Sequence, residues 1–155
     1  MNSILHEMEG LKLKIYIRES NLWRSLGGTL VRGCAYTKDT KLNADALCTL
    51  LLHVNSRNEI VEIIKELNGF FSVISFGDNS VYIAVDQCRS IPLFYVVQKS
   101  EILVSDDAFW IKDELGEVHK DIIAEEEFVL LGYVTGADTL CSEIKQVQPG
   151  EVLFI

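Results

Sequence analysis

The sequence contains no stretch of roughly 18 apolar residues, so it encodes no helix of bilayer-spanning length. It also lacks a basic cluster. Its 14 Lys and Arg residues are scattered singly against a formal net charge of −9, which argues against nucleic acid as a partner, since phosphate-backbone binding rests on grouped cations. The opening MNSILHEMEG carries acids and lacks the basic-then-apolar order of a secretory signal, so the expected location is cytoplasmic, with no membrane partner. Cys34, Cys48, Cys88 and Cys141 form no CxxC pair and have no His at ligand spacing, so neither a metal site nor a redox motif is indicated. These thiols are expected to be reduced and mostly buried. His6, His53 and His119 have no acid spaced to make a triad with them. No internal repeat and no low-complexity linker is present, and nothing implies a cofactor.

What is present reads as one compact domain of ordinary globular composition, 48% apolar and 24% charged, long enough to bury a real core. LKLKIYIR alternates, placing Leu11, Leu13, Ile15 and Ile17 on one face of a strand. After a short turn at Glu19 to Asn21, WRSLGGTLVRGCAY reads as strand pieces bent at Gly27, Gly28 and Gly33. Asn43 to Asp45 offers a cap for a helix over ADALCTLLLHV, and a second helix is expected from Asn58 to Leu67, closed by Gly69. FFSVISF, the turn GDN and VYIAVD make one hairpin, and IPLFYVV, QKS and EILVS make another, with Pro92 at a strand start. Asp106 to Lys112 is weakly helical, and the helix from Ala124 stops at Gly132. A short strand, the turn QPG and a final strand from Glu151 to Ile155 follow. Strand blocks, two helices, then hairpins favour an α+β fold with helices packed on antiparallel sheet. The lack of clean alternation in FFSVISF and VYIAVD points to burial on both faces.

Three stretches carry a family resemblance: LNGFFSVISFGDNSVYIAVDQCRSIPLFYV, ILVSDDAFWIK and EEFVLLGYVTGADTLCSEIKQVQPGEVL. Together they are similar to the glutaminase domain of asparagine synthetase and other class II glutamine amidotransferases. Gly69, Asp86, Pro92, Leu93, Tyr95, Ser105, Gly132, Tyr133, Val134, Gly136, Thr139, Ile144, Pro149 and Gly150 match in order, from about Leu67 to Ile155. The first half resembles the family only loosely. The resemblance implies an Ntn-hydrolase-like fold, an αββα four-layer sandwich of two antiparallel sheets with helices outside, spanning residues 1–155 as a single glutamine amidotransferase domain.

In such domains the nucleophile is a thiol on the first residue of the mature chain, with its own α-amino group as base. Here Asn2 follows Met1, and a Met before Asn is expected to stay in place. Ser3 is the only hydroxyl close by, a weak catalytic candidate that needs two residues removed. The family's R-G-P-D clamp has no counterpart between Arg18 and Leu30. VRGCAY resembles the oxyanion strand N-G-E-I-Y-N, with Arg32 where an Asn amide donates and Gly33 retained. KLNAD keeps only Asp45 of the Gly-Ser-Asp that binds the substrate amine, and a first-turn helix acid explains Asp45 more simply. AVDQCRSIPLFY keeps Asp86, which reads first as a hydrogen-bonding residue at a strand end, but lacks the Arg before it and the Gly after Cys88.

Arg32, Gly33, Asp45 and Asp86 thus mark a degenerate cleft. The resemblance implies a domain without glutaminase activity that acts as a structural or docking partner of an ATP-dependent amide-forming synthetase domain or subunit, itself absent from residues 1–155. A homo-oligomer is the other way to cover the apolar surface that an orphaned domain exposes. Two other readings stay open: an active glutamine amidohydrolase using a processed Ser3, and a module that binds a small ligand in the old cleft.

Overall fold

The computed structural model describes residues 3–8, 11–54, 56–76 and 80–155, with the side chains of residues 3, 6–8 and 11 outside the description. Asn2 and the turn at 77–79 lie outside the described residues. The fold is α+β, with two sheets and four helices among the described residues. The chain divides into two compact units, Met1–Arg18 with Leu93–Gln148 and Glu19–Pro92 with Pro149–Ile155. Neither unit is a continuous piece of chain.

The first unit holds β1 (Ser3–Met8), β2 (Leu11–Tyr16), β8 (Phe94–Val97), β9 (Glu101–Ser105) and β10 (Lys145–Gln146) in the order β1-β2-β9-β8-β10. β2 and β9 run parallel, so this sheet is mixed where wholly antiparallel pairing was expected. The two strands are far apart in sequence, and only adjacent strands joined by a tight turn are forced to be antiparallel. β1 was not anticipated either. SILHEM has no clean alternation, and it is strand because β2 supplies a partner from Ser3↔Tyr16 to Met8↔Leu11. On β2 the alternation is real, with Leu13 and Ile15 buried, as is Ile17 just beyond it.

Helix α3 (Ala108–Leu115) sits after β9, and its N-cap Asp107 accepts from the Phe109 amide while the Ser105 hydroxyl accepts from the Asp107 amide. Ile111 of α3 packs with Val96, Leu103 and Ile144 in this unit's core. Trp110 stacks on Tyr16 with ring centroids 5.0 Å apart. Helix α4 (Ile122–Leu131) is capped by Asp121 and ended, as expected, by Gly132 in the left-handed conformation.

The second unit holds β3 (Trp23–Leu26), β4 (Thr29–Tyr36), β5 (Lys41–Asn43), β6 (Asn68–Phe76), β7 (Val81–Val85) and β11 (Val152–Phe154). Their order is β11-β7-β6-β4-β3 with β5 on β4, and every pair is antiparallel. Gly27 and Gly28, both at positive φ, form the two-residue turn between β3 and β4 that a type I′ hairpin requires. Helices α1 (Ala44–Leu51) and α2 (Arg57–Glu66) supply Leu47, Leu51, Ile60 and Ile64, which pack with Val31, Phe71, Val73 and Ala84 of the sheet. Asn43 caps α1 as expected, whereas Ser56 caps α2, so that helix begins at Arg57, one residue before the expected Asn58. All of β7 and residues Phe71–Ser75 of β6 are buried, which agrees with the broken alternation. The buried hydroxyls are satisfied: Thr29 and Ser75 bond each other at 2.8 Å, and Ser72 donates to the Ile91 carbonyl.

Gly69 does not close α2. The helix ends through Leu67 in extended conformation, and Gly69 lies within β6 at φ +151°. Its role is close approach to β4, because a Cβ there would stand 2.4 Å from the Cys34 carbonyl oxygen.

Candidate functional site

Ser3 opens β1 in the first unit, and its side chain lies outside the described residues. Arg32, Gly33, Asp45 and Asp86 all belong to the second unit. β6 joins three of these positions. Arg32 and Gly33 pair with Ser72 and Phe71, and the Asp86 amide donates to the Phe71 carbonyl at 3.0 Å.

Asp86 is buried just after β7 and faces donors only. Its Oδ2 accepts from the Phe71 amide at 3.2 Å and the Ser90 amide at 3.0 Å, and Oδ1 accepts from the Cys88 amide at 2.8 Å and the Ser90 hydroxyl at 3.1 Å. A carboxylate in this setting ties the 86–90 loop to the sheet. These partners are all groups of the fold itself.

Arg32 extends from β4 and its Nη2 donates to Glu19 Oε2 at 2.9 Å. The guanidinium at the position resembling an oxyanion donor is therefore joined to a carboxylate. Any negative charge developing beside it meets the negative charge of Glu19. Between Arg18 and Leu30 the chain is spent on a 3-10 turn (Ser20–Leu22), β3 and the glycine turn. That is a tight hairpin entry with no span left over for a clamping loop.

Asp45 does not converge on Asp86. It occupies the first turn of α1 and contacts Arg24 Nε of β3 at 3.6 Å, an exposed pair with little energetic weight. Cys48, on the buried face of the same helix, has its thiol pKa raised by burial and then by the Asp45 charge, the opposite of nucleophile activation. Cys88 is exposed and Cys34 and Cys141 are half-buried, so the expectation of mostly buried thiols is met fully by Cys48 alone.

His119 has an acid partner that the sequence spacing did not show. Its Nδ1 lies 2.6 Å from Glu143 Oε1, and its amide donates to both oxygens of the same carboxylate. Twenty-four positions separate the two residues, and the bridge Lys120↔Cys141 brings them together. Ser142 donates to the His119 carbonyl, not to the ring, so Ser142 does not complete a triad with this pair. The His119 ring and amide hold the Glu143 carboxyl below the ordinary glutamate range. A depressed carboxyl pKa stabilises the native state fully above the unfolded value, near 4.3, and that contribution is lost as the pH falls through the lowered value. Carbon-detected NMR titration should give Glu143 a midpoint below the ordinary glutamate range, and His119→Ala should move it back up. An unchanged midpoint in that variant would remove the pairing as its cause.

None of Arg32, Gly33, Asp45 and Asp86 borders either of two cavities in the first unit. One of about 830 Å³ in the first unit is bordered by Phe109, Lys112, Val118, His119, Leu140 and Ile144. A second, of about 390 Å³, lies beside Tyr16, Lys14 and Trp110. Among the described residues no three His, Cys, Asp or Glu side chains converge to hold a metal, and no helix is long and apolar enough to cross a membrane. Comparison with protein-family models and with curated proteins gives no match to the chain.

Proposed function

We propose that the chain is a glutaminase-like domain of the asparagine synthetase type that does not hydrolyse glutamine and serves as a structural or docking partner of an ATP-dependent amide-forming synthetase. On this reading its two sheets and four helices are the layers of an αββα Ntn-hydrolase-like sandwich. Its place is the cytoplasm, where four free cysteines stay reduced. The observation that carries the inactivity is the 2.9 Å pair of Arg32 with Glu19, which sets a carboxylate at the strand position resembling an oxyanion site. The short path from Arg18 to Leu30 supports it, since no loop offers a guanidinium clamp to a glutamine carboxylate.

Ammonia release from glutamine by the purified protein is the direct test. The expected rate equals that of buffer alone, and co-purification with a co-expressed synthetase from the same source is the expected positive sign. Steady ammonia release overturns the reading, whatever residue supplies the nucleophile.

The 830 Å³ cavity favours a second reading, a module for a small ligand, because its size and mixed apolar and polar lining suit one. It is not the cleft marked by Arg32 and Asp86. A thermal-shift screen with amino acids and nucleotides separates the readings, since a ligand bound only to the native state raises the melting temperature.

A further inference from the structure

Helix α4 keeps almost nothing in the core: Ala124 is its only buried residue. Opposite Ala124, at 3.6 residues per turn, Ile122, Ile123, Val129 and Leu130 share one face and are exposed by 69, 80, 78 and 82%. Four such neighbouring side chains make an apolar patch of several hundred Å², the scale at which a surface signals a partner. Glu126 lies in the middle of that face, one turn from both Ile122 and Leu130. Its neighbours in sequence are occupied, Glu125 by Lys120 at 3.0 Å and Glu127 by the Thr135 amide at 2.9 Å. Glu126 has no ion-pair partner among the described residues.

We propose that this face of α4 docks an apolar face of a different polypeptide that carries an arginine or lysine at its centre, paired with Glu126. The proposal rests on the docking role proposed above and assigns it a surface and a partner chemistry. Covering the four aliphatic side chains removes water from the carboxylate between them, and a buried carboxylate is costly unless a cation meets it. Arginine suits the place best, because its planar fork holds a carboxylate with two bonds and is weakly hydrated. A second copy of this chain does not meet the requirement. A two-fold pairing of α4 on α4 sets the same acidic face against itself, Glu126 opposing Glu126 or Glu125, on a chain whose net charge is already −9. Glu126 therefore selects a basic-centred partner and also opposes self-association.

The test uses the whole protein and two synthetic helical peptides that share one leucine face and differ at its centre, arginine in one and glutamate in the other. By NMR the arginine peptide should shift amides within Ile122–Leu131 and bind at least about tenfold more tightly than the glutamate peptide. Glu126→Lys should reverse the preference. Glu126→Leu should self-associate in sedimentation velocity while the unchanged protein stays monomeric. Glu126 is exposed, so the variants should keep the native melting temperature, which excludes misfolding as the cause. Equal binding of the two peptides, shifts outside α4, or a native dimer formed through α4 would each overturn the proposal. Glutamine hydrolysis would remove the inactive-domain reading and leave the peptide preference standing, whereas indifference to the peptides removes only the docking face.

Discussion

Gly33→Ala is expected to destabilise the protein by roughly 4 kcal/mol or more, enough to leave a domain of ordinary stability marginally folded. Gly33 sits in β4 at φ +100°, a conformation that side-chain-bearing residues rarely adopt. A Cβ there would stand 1.9 Å from the Phe70 carbonyl oxygen and 2.9 Å from the Phe70 carbonyl carbon. These are backbone atoms, so no rotamer change relieves the overlap. The neighbouring strand would have to move, and β4–β6 pairing runs from Thr29↔Ser75 to Tyr36↔Asn68 through the middle of the sheet. Gly136→Ala is the control: φ is +64° but nothing lies within 4 Å of the added carbon, so only the backbone strain of about 1 kcal/mol applies. Urea denaturation of both variants decides the matter. A Gly33→Ala loss no greater than the Gly136→Ala loss would show that β4 and β6 do not approach as described. Gly33 is thus demanded by packing alone, and its match to an oxyanion-strand motif says nothing in favour of catalysis.

Asp86→Ala should cost roughly 3 kcal/mol, again measured by denaturation. The substitution leaves the buried Phe71 amide and the Cys88 and Ser90 amides without their acceptor, and each desolvated donor carries a penalty of about 1 kcal/mol or more. The loop it holds includes Arg89 at φ +52°, an unfavourable conformation for a residue with a side chain, which the surrounding hydrogen bonds sustain. Asp86→Asn should fall between Ala and the native residue. One amide oxygen still accepts, but on either side the NH₂ group faces a backbone amide that cannot accept from it, and the Ser90 hydroxyl is the one partner able to reverse its role. A reactive carboxylate with a free lone pair aimed at a substrate would tolerate Asn structurally. If Asp86→Asn retains native stability, the anchoring role is wrong.

Much of the local structure is legible because its causes are local. Asn43 caps α1 through its own side chain, Gly132 ends α4 by entering the left-handed region, and Gly27 and Gly28 permit the hairpin turn. The buried strands β6 and β7 announce themselves by losing alternation. Gly69 shows the limit of that approach. After a helical run a glycine reads as a stop, and only the approach of Cys34 and Ala35 from another strand reveals why no side chain fits there. β1 shows it again, since its pairing with β2 outweighs its weak pattern. Among candidate site residues, positions could be named from motif resemblance, but Arg32 meeting Glu19, Asp45 meeting Arg24 and His119 meeting Glu143 are encounters that no spacing in the chain encodes.

The order of residues alone determined the α+β class, the cap of α1, the hairpins and the net charge of −9, because propensity and periodicity act over a turn or a strand and net charge is a sum over the sequence. Tertiary structure decided the parallel pairing of β2 with β9, the two glycines that let β4 and β6 draw close, the ion pairs around the candidate cleft and the outward face of α4. Those depend on which distant segments meet, and hydrogen bonds, steric contact and burial act only across distances that folding creates.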